Sequence, residues 1–495
     1  MTTILLVAPV GVPALAALGY AVFGWRRGTA WLASIAAGGV LAAAVRLAVL
    51  AADRPRTGLG GLLRADALAA FMLIVIGAVA LLAMLASPSH LAAEREAGHA
   101  APTDARRYGV LTQLFVAAMA LAVLASSLGV LWVAVEATTI VTAFLVGHRR
   151  TRNATEAAWK YVVICSAGIA LALLGIFLLH FAARHAHVPS SGALDWVRLA
   201  EHAGSLDPGV TRIAVALLIL GFGAKAGLAP LHAWLPDAHS QAPAPVSALM
   251  SGVLLSVALY AVLRVKVISD AALGTGFART LLLIVALASL AVAAALLLGQ
   301  RDLKRMLAYS SIEHMGLLAL GTAIGTRLAM GAVLLHILGH GLAKSVAFLA
   351  AGRIHQALAT SRIDAVRALG GRAPVLAAAL GGGLLALLGL PPFALFAGEI
   401  AMVRAGFAAG LGWAVTVALV LTLLIVAAVS ARMAGMLLGS RPDGPGAAAI
   451  PAGLRPPFAL AVALGAGLAA CAVIGVTAWP LRPLLDAAAE IITAF

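Results

Sequence analysis

The sequence predicts an all-α polytopic membrane protein of about fourteen transmembrane helices, two of them broken. Hydrophobic residues make up 63% of the 495 and charged residues only 11%, against about half and a quarter in a soluble domain. The apolar residues fall in runs of about twenty, the length that crosses a bilayer core. Two runs are interrupted by prolines. Broken helices near the bilayer midplane are how many transporters build a binding site.

In chain order the predicted spans are 3–24, 29–50, 66–87, 109–126, 128–147, 158–181, 211–240 (broken), 245–268, 279–298, 306–324, 328–351, 374–408 (broken), 411–438 and 457–479. The N-terminal MTTILLVAPVGV carries no basic segment before its apolar run, so it reads as the first span rather than a cleaved leader. The stretches 88–108, 183–208 and 439–456 are polar but too short for a domain and read as solvated loops.

The net charge of +15 lies mostly in short loops, where arginine orients a membrane protein. It does not call for nucleic acid. With the N-terminus outside, inner loops hold Arg26, Arg27, Arg106, Arg107, Arg149, Arg150, Arg301, Lys304, Arg305, Arg362, Arg367 and Arg441, while Arg54, Arg56 and Arg64 lie outside. Both termini are therefore expected on the outer side of a bacterial inner membrane. Cys165 and Cys471 sit in apolar runs with no CxxC and no iron–sulfur or metal spacing, so no redox centre and no cofactor is expected in this chain.

The break in the seventh span, GFGAKAGLAPLHAWLPDAHSQAPAP over 221–245, holds Lys225, His232, Asp237 and His239 among four prolines. The twelfth span has Pro391 and Pro392 before Glu399, in GLPPFALFAGE. Interrupted segments at corresponding places predict an internal repeat. The halves fall at 109–268 and 279–438, with helices one to three (1–108) and the C-terminal helix and tail (457–495) peripheral.

Lysine is rare: of 34 Lys+Arg, only Lys160, Lys225, Lys266, Lys304 and Lys344 are lysine. Arginine stays charged, whereas a buried lysine can release its proton. Lys160, Lys225 and Lys344 fall in or at the ends of spans, which suggests titrating groups. Lys160, near the start of its span, can instead snorkel to the interface. Glu136 stands alone in LGVLWVAVEATTIVTAFLVG. It is either a protonated glutamate bonded to a neighbouring helix or the partner of Lys225 or Lys160. Glu313 and His314 open the tenth span, and His314 serves as a relay or makes a structural hydrogen bond. His336, His340 and Lys344 are four apart in turn and share a helix face. HxxxH is also zinc spacing, but no third ligand is evident and Lys344 would repel the metal. GFGAKAG and GHGLAKS fit no phosphate-loop pattern. Glu136, Lys160, Lys225, His239, Glu313, His314, His336, His340, Lys344 and Glu399 are thus the candidates for a line of protonable groups along the bilayer middle.

These residues carry a resemblance. AKAGLAPLHAWLPDAHSQAPAPVSALMSG resembles the signature of the antiporter-like membrane subunits of respiratory complex I, membrane-bound hydrogenases and Mrp-type cation/proton antiporters. TEAAWKYVVICSAGIALALLG and DLKRMLAYSSIEHMGLLALG are most similar to component F of hydrogenase-4 and formate-hydrogenlyase complexes. The resemblance spans about 60–440. It implies fourteen helices in two inverted five-helix repeats, with broken helices seven and twelve. It also implies proton-path roles for Glu136, Lys160, Lys225, His314, His340 and Glu399. Many relatives carry an eighth-helix lysine at the place of Ser256, and the largest have a long lateral helix that is not expected here. The implied function is proton translocation coupled to redox chemistry in a hydrogenase- or dehydrogenase-like peripheral arm, alongside other membrane subunits. A Glu136–Lys225 ion pair would hold the lysine proton. The rivals are a cation/proton antiporter module moving sodium as well as protons, and a membrane anchor that moves nothing.

Overall fold

The computed structural model describes residues 2–51, 54–98, 101–186, 188, 192–440 and 454–494. The chain begins with α1 (Thr2–Phe23), α2 (Leu32–Ala51), a hairpin of β1 (Arg56–Gly58) and β2 (Leu63–Ala65), and α3 (Ala67–Glu96). Then follow α4 (Pro102–Leu124), α5 (Leu128–Val146), α6 (Arg152–His185), α7 (Trp196–Glu201), α8 (Pro208–Lys225), α9 (Trp234–Gln241), α10 (Ala244–Leu249) and α11 (Leu255–Leu273). The remainder is α12 (Thr275–Leu298), α13 (Leu303–Ile324), α14 (Arg327–Leu358), α15 (Leu369–Arg372), α16 (Pro374–Leu387), α17 (Ala394–Ala408), α18 (Gly412–Leu438), α19 (Phe458–Val476) and α20 (Arg482–Ile492). A π-helical segment, Met250–Leu254, joins α10 to α11. Arg441 and most of the 439–456 loop, like His187 in 183–208, lie outside the described residues.

Among the described residues, twelve helices are long and apolar enough to cross a membrane, with α10–α11 as one of them. The other two predicted spans correspond to α13, 22 residues long with Lys304, Arg305 and Glu313 in it, and to the pair α16–α17. Side-chain caps start many of the helices. Ser127, Thr151, Asp207, Asp302 and Thr326 each accept a backbone N–H in the first turn of α5, α6, α8, α13 and α14, satisfying donors the helix leaves free. The antiparallel hairpin pairs Arg56 with Ala65 and Gly58 with Leu63. Its turn takes positive φ at Leu59, Gly60 and Gly61.

The core is α10–α11, whose residues are buried almost throughout, flanked by α3, α13 and α14. Helices α1, α2, α5, α6, α18 and α19 turn apolar side chains outward, such as Val163, Phe177, Leu423 and Val473, as lipid-facing or subunit-facing helices do. Two expectations need correction. Helix α3 is not peripheral: it packs against α10, α14, α19 and α20, and most of its residues are buried. The chain also carries one more helix after the last span. Helix α20 buries Leu484, Leu485, Ala488, Ala489 and Ile492 on α3, α11 and α14 and turns Arg482, Asp486 and Glu490 outward, Glu490 lying 3.5 Å from Arg327. Its apolar residues follow a helical stripe rather than a continuous run, so span counting passes over it.

Both breaks are built alike. Helix α8 ends at Lys225, Gly227 takes φ +78°, and Pro230 follows in Gly-Leu-Ala-Pro. Helix α16 ends at Leu387, Gly389 takes φ +62°, and Pro392 follows in Gly-Leu-Pro-Pro. In each the left-handed glycine ends the helix and the proline prevents its continuation. At Gly389 a Cβ would collide with the Glu399 carboxylate, so this glycine lets Glu399 fold back over the break. Helices α6 and α8 approach closely through small residues. A Cβ on Gly221 would lie 2.6 Å from the Gly168 carbonyl oxygen, the small-residue packing that membrane helices use.

Candidate functional site

Two clusters of protonable side chains lie inside the helix bundle, one beside each break. The first is centred on Lys225, which is fully buried. Its Nζ donates to Thr139 Oγ1 at 2.8 Å and to the Tyr161 hydroxyl at 2.5 Å, and stands 4.6 Å from the Tyr161 ring centroid. Thr139 donates in turn to Glu136 Oε2 at 3.0 Å, and Ser166 donates to Oε1 at 3.3 Å. Tyr161 also shares a short hydrogen bond with Thr142. Trp234, the first residue after the break, packs edge-on against Tyr161 and donates to the Ala224 carbonyl at 3.0 Å. Lys225 thus sits where α8 ends, with two hydroxyls as its acceptors.

The expected direct ion pair between Glu136 and Lys225 is absent among the described residues. Thr139 stands between them, three residues beyond Glu136 on the same helix face, accepting from the lysine and donating to the carboxylate. A one-hydroxyl bridge keeps the charges apart and still links them by hydrogen bonds. Lys160 is also not where a mid-bilayer line would put it. Its side chain is 47% exposed and ion-paired to Glu156 at 2.7 Å and Asp237 at 3.1 Å. Arg305 binds the other Asp237 oxygen. Together they line a polar hollow of about 250 Å³ at the arginine-rich end of the bundle. The snorkelling alternative describes Lys160.

The second cluster lies on α13, α14 and α17. His314 Nδ1 is 3.1 Å from His336 Nε2, and the His314 and His340 rings are 5.1 Å apart. His336 Nδ1 lies 4.0 Å from Glu399 Oε1. All three histidines are fully buried, and Glu399 is 22% exposed beside a cavity of about 40 Å³. Lys344 is fully buried one turn further along α14. Its Nζ donates to the Leu307 carbonyl at 2.7 Å and to Ser310 Oγ. Glu313 is buried in the field of Lys344 and Glu399.

His239 lies between the clusters, on α9. It stacks between Trp234 and Phe348, and among the described residues neither ring nitrogen has a hydrogen-bond partner. From Tyr161 to His239 the contacts are aromatic, through Trp234. Ser256 is buried, its hydroxyl has no hydrogen-bond partner among the described residues, and it joins neither cluster.

Thr139, Tyr161 and Ser310 were not among the sequence candidates because they are uncharged. The one signal was spacing, since Thr139 is at i+3 from Glu136. Lysine rarity also marks more than one role. Four of the five lysines are buried, but Lys304 donates to the Ser240 and Ala242 carbonyls at 2.8 and 2.7 Å, and Lys266 pairs with Asp270. Both are structural fastenings.

The family described as "NADH:quinone oxidoreductase/Mrp antiporter, TM" matches residues 125–425, which contain both clusters. The chain belongs to this family. It is 42% identical over 324 residues to a hydrogenase-4 component F homolog of Methylacidiphilum infernorum, covering 66% of this chain and 68% of that one. It is 33% identical over 351 residues to hydrogenase-4 component B of Escherichia coli, covering 68% of this chain but 50% of the longer relative. Among solved structures, a chain of the archaeal membrane-bound sulfane sulfur reductase superposes with a TM-score of 0.85 at 25% identity, over 99% of this chain and 97% of that one. A chain of the Mrp complex from Dietzia sp. superposes with 0.84 at 22% identity, over 99% and 97%, a likeness of fold. This antiporter-like subunit is a multi-pass membrane protein, and its solved neighbours are chains of multi-subunit membrane complexes.

Proposed function

We propose that this subunit carries protons across a bacterial inner membrane within a hydrogenase-4-type complex, driven by redox chemistry in a peripheral arm, with both termini on the outer side. The carrying observation is Lys225, fully buried at the end of a broken helix and joined to Glu136 through Thr139. A lysine at this depth is costly and marks ion paths. Its supports are the hydrogen-bonded bridge, the second buried cluster, and the Gly-Leu-x-Pro pattern at both breaks. That pattern favours two five-helix halves at 109–268 and 279–438.

In this reading a partner-driven shift at Glu136 withdraws the counter-charge, and the Lys225 Nζ–H bond breaks. The proton moves by way of His239 and Lys344 to the cluster of Glu313, His314, His336 and His340, then to Glu399. Water bridges the aromatic stretch at Trp234, and Lys225 reloads from the polar hollow at Lys160 and Asp237. Thr139→Val removes the bridging hydroxyl. Proton translocation by the assembled complex in vesicles is then expected to fall about tenfold, the worth of one charge-assisted hydrogen bond of about 1.5 kcal/mol, while Thr139→Ser retains it. Equal rates for both variants would take the bridge out of the mechanism.

The experiment that tests the function itself is proton uptake in vesicles holding the complex, with and without electron donor and with and without sodium. Uptake that needs the donor and ignores sodium is the expected result. Sodium-dependent uptake without redox partners points to the antiporter module instead, and full coupling after loss of Glu136, Lys225 and Glu399 together points to a passive anchor.

A further inference from the structure

We propose that His314, His336 and Glu399 form a binding site for a divalent transition metal ion of the zinc type, bound in competition with the translocated proton. One ligand atom from each residue lies within 4.8 Å of the others. The three come from α13, α14 and α17, so only the folded chain assembles them. On sequence grounds HxxxH lacked a third ligand. The structure supplies it as Glu399, turned back over Gly389, and replaces His340 by His314 as the partner of His336.

Two observations point to a ligand. First, among the described residues His314 Nε2 and His336 Nδ1, the ring nitrogens turned away from each other, are buried with no hydrogen-bond partner, so no hydrogen bond fixes either tautomer and the facing pair, His314 Nδ1 and His336 Nε2, is free to present lone pairs to an ion. Second, two imidazoles and one carboxylate are the donor set that zinc takes where it keeps an open position. Tetrahedral zinc with bonds of about 2.0–2.1 Å sets its ligand atoms about 3.3 Å apart. The 3.1 Å between His314 Nδ1 and His336 Nε2 meets this, and the Glu399 oxygen falls within the 4.8 Å spread of the three ligand atoms. The Lys344 Nζ is turned toward the Leu307 carbonyl and Ser310 Oγ and is not among the three ligands. Magnesium and calcium, which take oxygen ligands, fit poorly.

The binding claim stands on this geometry. Its consequence rests on the proton reading of the cluster: the metal uses the lone pairs a relayed proton needs, so occupancy stops translocation. The test uses the intact complex, equilibrated with radioactive zinc against a magnesium background, then assayed for bound zinc and, separately, for proton translocation. His314→Gln, His336→Gln and Glu399→Gln are compared with wild type and with His355→Gln, a histidine in the last turn of α14 beside Arg149 and outside the site, each checked for co-purification with its partners. The expected result is one zinc per chain in wild type and His355→Gln, lost in the other three variants, with a nitrogen- and oxygen-only ligand shell by X-ray absorption. Equal zinc in all forms, or a sulfur-containing shell, overturns the site. Zinc bound at the site with unchanged translocation keeps the site and overturns the proton route through it, so the two failures are told apart.

Discussion

In the assembled complex, Lys225→Met is expected to lower the protons moved per electron to the level of a complex lacking this subunit's contribution. Methionine fills a similar volume and packs in irregular sites, but it has no proton to give. The partner variant is Lys225→Arg. Arginine keeps the positive charge and the hydrogen-bonding capacity but does not release its proton in a protein. If the site needs only a fixed charge opposite Glu136, arginine restores the ratio. If it needs a group that gives and takes a proton, arginine fails as methionine does. The expected result is that both fail while the complex still assembles and transfers electrons. A wild-type proton-to-electron ratio in either variant would remove Lys225 from the path.

The second large effect lies at the other end of the bundle and concerns stability. Arg264 is 1% exposed, with Nη2 2.7 Å from Asp66 Oδ1. Its guanidinium lies 3.7 Å from the Trp196 ring centroid and 4.8 Å from that of Tyr260. Asp66 also caps α3 by accepting from the Ala69 N–H at 2.9 Å. Asp66→Ala strands a buried charge, which costs about 3–5 kcal/mol, and removes a cap worth about 1 kcal/mol. Thermal melting of the purified complex is expected to shift clearly downward. The double variant Asp66→Ala/Arg264→Met recovers most of the loss, since the penalty belongs to the unpaired charge. An unchanged melting temperature in Asp66→Ala would show that the pair contributes nothing.

Most of the helix layout was legible in the sequence, because membrane depth imposes long apolar runs and prolines cannot be hidden inside them. The breaks at 226–233 and 388–393 follow from this. Helix α20 was not legible, since a helix lying on a protein surface needs only one apolar stripe. The buried position of α3 was not legible either, because a span facing protein and a span facing lipid can be equally apolar. At the site, charged residues in spans were conspicuous, and they fall in two clusters, Lys225 with Glu136 in one and His314, His336, His340, Lys344 and Glu399 in the other. Direct pairing was less readable. The hydroxyl between Glu136 and Lys225 carries no charge, Lys160 is close enough to its helix start to reach solvent, and the meeting of Glu399 with His314 and His336 depends on how α17 packs on the consecutive helices α13 and α14. Arg264 was plainly visible inside the eighth span, yet its pairing with Asp66, 198 residues away, is a tertiary fact.

Lys304 and Arg305 at the start of α13 hold the C-terminal end of α9. Lys304 takes the carbonyls of Ser240 and Ala242, and Arg305 takes the carboxylate of Asp237. The same α13 carries Ser310, Glu313 and His314 further along. Helix α9 therefore cannot slide along its axis without either drawing α13 with it or giving up two charge-assisted hydrogen bonds and an ion pair. Since α9 begins at Trp234, against the ring that Lys225 touches, the chain has a rigid mechanical link between the lysine of one cluster and the histidines of the other. The aromatic stretch between them, which interrupts the side-chain hydrogen bonds, does not interrupt this chain of contacts.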